Sequence, residues 1–161
     1  MPSSFPENFP TIVKLLQELQ PKTILDIGPG RGKYGLAAKE YLEPDKVDAL
    51  EIFEPYITPT LKSIYDTVHI GNALTFTYPK YDCYLIIDVL EHWNKEDAHK
   101  LLARLTQLGK VIISTPRAPG PQGAVNGNDW ESHISSWGGE DFEIYPHKHI
   151  HNEISFIYIL G

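Results

Sequence analysis

Apolar residues change their spacing along this chain in a way that alternates two kinds of element. In TIVKLLQELQP, Ile12, Leu15, Leu16 and Leu19 recur three or four positions apart, the spacing of one helix face, and Pro21 lies just past the end. KTILDIG is a short β-rich run, and GKYGLAAKEYLEP predicts a helix stopped before Pro44. KVDALEIF predicts a second strand, PTLKSIYD a weak helix and TVHI a brief third strand. YDCYLIID contains the continuous apolar run CYLII, as expected of a strand covered on both faces in a parallel sheet. The best-marked helix follows. Asn94 can cap it, Glu96 and Asp97 suit its first turn, Leu101, Leu102, Leu105 and Leu108 form its inward stripe, and Gly109 stops it.

KVIISTP predicts a fifth strand, after which residues 116–139 break the pattern. They are rich in Gly, Pro, Asn and Ser, and loops of that length in compact domains are either functional or disordered. FEIYPHK and EISFIYIL then read as an antiparallel hairpin. The alternation implies an α/β fold whose sheet is mostly parallel, with one antiparallel strand contributed by the C-terminal hairpin. Such sheets bind ligands at the C-terminal ends of their strands.

Composition narrows this picture. The chain of 161 residues is expected to form one domain over 1–161, and its 42% apolar share is that of an ordinary globular protein. Fourteen Lys and Arg against 21 Asp and Glu leave a net charge of −7, which argues against nucleic acid as a partner bound through its phosphates. Cys83 is the single cysteine, so neither an internal disulfide nor a cysteine zinc site can form. MPSSFPENFP has no basic segment and no apolar stretch of signal-peptide length, and no run approaches a membrane span. A soluble cytoplasmic protein is the expectation.

The chemistry centres on ILDIGPGRGKYG. A P-loop is excluded, because Ile27 stands where its first Gly belongs and Tyr34 replaces the magnesium-binding hydroxyl. A dinucleotide fingerprint fits Gly28 and Gly30 but meets Lys33 at its third Gly, and Asp26 would repel a pyrophosphate. Asp26 becomes an asset if the ligand is cationic and carries no phosphate. Asp26-x-Gly28-x-Gly30-x-Gly32 after a first strand resembles the cofactor motif of class I, Rossmann-like methyltransferases dependent on S-adenosyl-L-methionine (SAM).

That resemblance covers nearly the whole chain. It implies a three-layer sandwich with a seven-stranded sheet, and the cofactor SAM held by Asp26, Gly28, Pro29, Gly30 and Gly32. It also implies that Glu51, about 20 residues on, takes the ribose hydroxyls, while Ile52 or Phe53 packs on the adenine. Asn72 stands where the family often has Asp beside the adenine amine, with Ala73 next to it. IIDVLEHW resembles the D-x-L-E-H stretch of methyltransferases acting on small molecules, which places Asp88 and Val89 near the cofactor and Glu91 and His92 at the reaction centre. The implied activity is methyl transfer to a hydroxyl or amine of a small-molecule acceptor. Two rivals stand beside it: an aminopropyl transferase, which the D-x-L-E-H stretch argues against, and a non-catalytic SAM-binding module or partner subunit.

His92 is the expected catalytic base, with helix capping as its structural alternative, and His133 in SHISSW is the second catalytic candidate. Trp130 and Trp137 could wall the pocket, although Trp137 fits a core anchor better. His147, His149 and His151 alternate, and read as an exposed strand end rather than a metal site. No residue is assigned to a metal. With little chain left for a substrate domain, the acceptor site is expected from the N-terminal segment, the 116–139 loop or a second subunit of a homodimer.

Overall fold

The structure, a computed structural model, describes residues 3–161; Met1 and Pro2, the start of the N-terminal segment read above, lie outside the described residues. The strands are β1 (Thr23–Ile27), β2 (Lys46–Glu51), β3 (Thr67–Ile70), β4 (Cys83–Ile87), β5 (Lys110–Pro116), β6 (His147–Ile150) and β7 (Ser155–Leu160). They form one seven-stranded sheet in the order β3-β2-β1-β4-β5-β7-β6. β1 to β5 pair in parallel and β7 runs antiparallel between β5 and β6, as the pattern predicts.

Burial on both faces explains the apolar strands. Every residue of β4 is buried, and the side chains of successive strand residues feed two separate cores. One core lies under α1 (Phe9–Leu19) and α2 (Lys33–Leu42), where Ile12, Leu16, Ala38 and Leu42 meet Ile24, Val47 and Leu85. The other lies under α4 (Lys95–Leu105), where Leu101, Leu102 and Leu105 meet Leu25, Ile86 and Ile113. Asn94 caps α4 by accepting the Asp97 N–H at 2.9 Å, and Thr58 caps the short α3 (Pro59–Ile64) in the same way from Leu61.

Two boundaries differ from expectation. α4 ends at Leu105, four residues before Gly109. FEIYPHK is not a strand along its length, since Gly139–Phe142 is a 3-10 helix and β6 starts only at His147. Phe142 and Tyr145 are buried while Ile144 is 70% exposed, so the buried positions are three apart and not two. Phe142 is drawn inward by Trp137, whose ring lies parallel to it at 5.5 Å, and by Tyr158 at 4.5 Å.

Gly109 has a different role from a helix stop. A Cβ there would lie 2.1 Å from the Tyr81 carbonyl oxygen and 2.9 Å from that of Asp82, where the chain enters β5 beside the start of β4. Because backbone cannot swing aside as a side chain can, Gly109→Ala should cost roughly 1–3 kcal/mol of stability, as overpacking typically does. Urea denaturation checks it, and an unchanged midpoint would contradict the close approach.

Candidate functional site

The C-terminal ends of β1, β2 and β4 open into one cavity of about 270 Å³. Its floor is the turn after β1. Gly28, Gly30 and Gly32 have φ of +68°, +54° and +82°, conformations that a side chain disfavours. At Gly28 the requirement is also steric, because a Cβ would come within 2.7 Å of Val89 Cγ2. Gly28, Pro29 and Gly30 line the cavity, whereas Gly32 does not. It stands at the start of α2, packed against Leu61 and Ile64.

Five carboxyl groups line the cavity: Asp26, Glu51 and Glu91 are buried, Asp88 and Glu131 partly so, and Lys33 acts on Asp88 from the same lining. Asp26 accepts a hydrogen bond from the Tyr65 hydroxyl at 2.6 Å, and burial, with a smaller push from Glu51, raises its pKa to about 7. Glu51 turns its carboxylate onto the backbone after β2, accepting the Phe53 N–H at 2.8 Å, and burial raises its pKa too. Asp88, a non-glycine residue at φ +54°, accepts from Ser114 Oγ at 2.5 Å and from the Phe5 N–H at 3.1 Å, and burial also raises its pKa. Glu91 accepts from Thr115 Oγ1 at 3.1 Å, and burial followed by the Asp88 charge lifts its pKa to about 8.

Of the two apolar candidates after Glu51, Ile52 lines the cavity and Phe53 does not; Phe53 packs edge-on against Tyr56, which itself reaches the cavity. Asn72 and Ala73 line it beyond β3, with Asn72 Oδ1 accepting the Leu74 N–H at 2.9 Å.

The opposite wall brings together residues 40 positions apart. His92 Nδ1 faces the Ser132 carbonyl at 3.2 Å, and His133 Nδ1 faces the Gly120 carbonyl at 2.7 Å. The two rings are 5.0 Å apart, and burial pushes the His92 pKa down, so its imidazole is neutral near pH 7. The long loop is fastened here, as Ile134 N–H and Ser135 N–H both donate to the Glu91 carbonyl, at 2.9 and 3.1 Å. The loop also makes a tight turn at Asn126-Gly127, both at positive φ between the bridged Val125 and Asn128. Trp130 lines the cavity and is half exposed; Trp137 is a buried core anchor.

Several contributors carry no motif. Ser3, Ser4 and Phe5 line the cavity, and Lys33 Nζ holds the Ser4 carbonyl at 2.7 Å. Lys33 and Tyr34, with Phe9 packed on the Tyr34 ring at 5.7 Å, therefore fasten the N-terminal segment over the site. The sequence reading expected the N-terminal segment at the acceptor end but gave none of these residues a place there. His147 and His149 lie against Tyr158 on the sheet edge, far from this wall in the strand order, as an exposed polar strand end should. Among the described residues the one group of histidine and carboxylate donors close enough to share an ion is Glu91, His92 and His133, a juxtaposition that the sequence reading did not foresee. No helix of the described residues is long and apolar enough to cross a membrane.

No family model matches the chain. Over 96 residues, 57% of its length, it is 28% identical to chavicol O-methyltransferase of Ocimum basilicum, of which it spans 26%. Human N-acetylserotonin methyltransferase in complex with SAM superposes with a TM-score of 0.70 at 14% identity, over 95% of this chain and 51% of that one. The methyltransferase domain of bacterial CtHen1-CN gives 0.69 at 14% identity, over 96% and 97% of the two chains. Magnesium protoporphyrin IX methyltransferase of Synechocystis PCC 6803 with bound SAH gives 0.67 at 16%, over 96% and 83%. The chain thus spans about half the length of the human protein and about a quarter of the basil one.

Proposed function

We propose that this chain, whose fold is that of the class I SAM-dependent methyltransferases, binds SAM over its glycine turn and transfers a methyl group to a small-molecule hydroxyl or amine. One observation carries the reading: Asp26, Glu51, Asp88 and Glu91 surround a single cavity. Buried carboxyl groups repel phosphates and favour a ligand bearing positive charge. SAM fits that demand with a sulfonium and an ammonium group.

The residues divide the ligand between them. Asp26 and the Gly28-Pro29-Gly30 turn suit its amino-acid end, and Glu51 its ribose hydroxyls. Ile52, Asn72 and Ala73 suit the adenine, with Asp88 and Val89 in support. When bound, SAM supplies an electrophilic methyl group on its sulfonium. The chain must then align the acceptor with that methyl, because an in-line displacement gains most from orientation. The wall of Glu91, His92 and His133 is where the acceptor meets polar groups. With Nδ1 directed at the Ser132 carbonyl, His92 would keep its Nε2 lone pair free to take the acceptor's proton. The 116–139 loop and Ser3–Phe5 exclude water from this end. A small molecule suits a net charge of −7 better than a polyanion does, and a lone buried Cys83 suits a reducing, cytoplasmic setting.

Incubation with SAM and a panel of phenols, alcohols and amines, with S-adenosylhomocysteine and the acceptor's mass gain as readouts, tests the activity. Tight SAM binding with no product from any acceptor would replace the enzyme by a binding module. Glu51→Ala should weaken SAM binding by roughly 1.5–3 kcal/mol, the worth of hydrogen bonds to a charged group. Calorimetry giving the parent affinity would remove Glu51 from the ribose.

A further inference from the structure

We propose that Glu91, His92 and His133 form a binding site for a divalent first-row transition-metal ion at the acceptor end of the cavity. A donor atom from each residue lies within 4.8 Å of the others, a spacing that a single ion can draw together. Both imidazoles direct Nδ1 at a backbone carbonyl, His92 at Ser132 and His133 at Gly120. A carbonyl can only accept, so each Nδ1 carries the hydrogen and each Nε2 the lone pair. Backbone carbonyls on the second nitrogen are the usual way in which a ligating histidine has its tautomer and ring orientation fixed.

The third donor is prepared in a similar way. Glu91 is buried, Thr115 Oγ1 holds its Oε2, and among the described residues it forms no ion pair. A buried carboxylate without a cation is costly, and a bound dication removes that cost. The site also has a rigid frame. His92 and Glu91 belong to the turn that follows β4, and the amides of Ile134 and Ser135 clamp the loop carrying His133 onto the Glu91 carbonyl.

Two imidazoles and one carboxylate select the Mn(II)-to-Zn(II) series over Mg(II) and Ca(II), which prefer all-oxygen sites. Three protein ligands leave at least one position open, and all three residues face the cavity. An acceptor hydroxyl in that position would be held by its oxygen and made more acidic. This role rests on the methyltransferase reading, and it makes His92 a ligand while the proton leaves to water. The site itself does not depend on that reading.

Chelator-treated protein, without SAM or acceptor, should bind Co(II) with visible d–d bands, and Zn(II) and Mn(II) by calorimetry, at one ion per chain. His133→Asn, in the loop, should weaken binding at least tenfold with an unchanged melting temperature of the metal-free protein. Glu91→Gln should do the same, serving as a second variant. His147→Gln/His149→Gln/His151→Gln should bind as the parent does. Absence of saturable binding for all three ions overturns the site. So do bands that survive His133→Asn and Glu91→Gln, or that vanish only in the triple variant. Ion binding without SAM binding would instead defeat the methyltransferase reading and leave the site standing.

Discussion

An Asp26→Asn variant is expected to gain of the order of 4 kcal/mol over the parent protein between about pH 4 and pH 8, in the absence of ligand. The reason is the burial of Asp26, which raises its pKa to about 7 in the folded chain. In the unfolded chain the same group titrates near 4, its ordinary value. Between these values the folded state holds a proton that the unfolded state has released, so stability falls as pH rises and levels off above about 7. Below about 4 both states are protonated and the contribution is fully present. Asn keeps the shape and an oxygen for the Tyr65 hydroxyl but cannot ionise, so its stability lacks this slope. Glu51, Asp88 and Glu91 act in the same sense, which is why the difference between parent and variant is the quantity to measure.

Ligand binding should show the mirror image. SAM favours the Asp26 carboxylate, so below its pKa binding must expel a proton, and affinity should climb about tenfold per pH unit between about 5 and 7. Asp26→Asn should bind more weakly above pH 7 and show a flatter profile. Parallel urea midpoints and parallel affinity profiles for the two proteins would refute the assignment of Asp26 to the cofactor's charged end.

His92→Ala should lower kcat by roughly 100-fold or more, whether its Nε2 lone pair takes the acceptor's proton or holds an ion that makes the acceptor more acidic. SAM affinity should stay within about twofold, because the residues proposed to hold the cofactor lie at the ends of β1, β2 and β4 while the imidazole is proposed to address the acceptor. A His92→Asn variant separates chemistry from structure: it can still donate to the Ser132 carbonyl, yet it offers no imidazole lone pair. If it recovers turnover, His92 only supports the loop. If it is as slow as His92→Ala with an unaltered melting temperature, the lone pair matters.

The sheet was legible because its signals are local. β4 reads as fully buried from five apolar residues in succession, and the glycine turn could be placed because only glycine tolerates three positive φ values within five residues. The misread stretch, FEIYPHK, failed for a tertiary reason. Its alternation suits a strand, but the aromatic faces of Trp137 and Tyr158 offered Phe142 a better partner, and that pairing selects a helical turn. Gly32 and Phe53 each sit beside a cavity residue, with Gly32 packed against α3 and Phe53 against Tyr56, packing that local sequence does not encode.

What the sequence determined by itself was the order of strands and helices, the glycine turn and the acidic residues at the ends of β1, β2 and β4. These follow from periodicity and from conformations open to few residue types, which neighbours in the chain enforce. The tertiary structure alone decided that Tyr65 bonds Asp26, that Lys33 holds the N-terminal segment over the cavity, and that His133 comes to His92 and Glu91. Each joins residues 29 to 42 positions apart. No local spacing encodes such pairs, because they arise only when the parallel sheet gathers its strand ends at one edge and the loops fold across them.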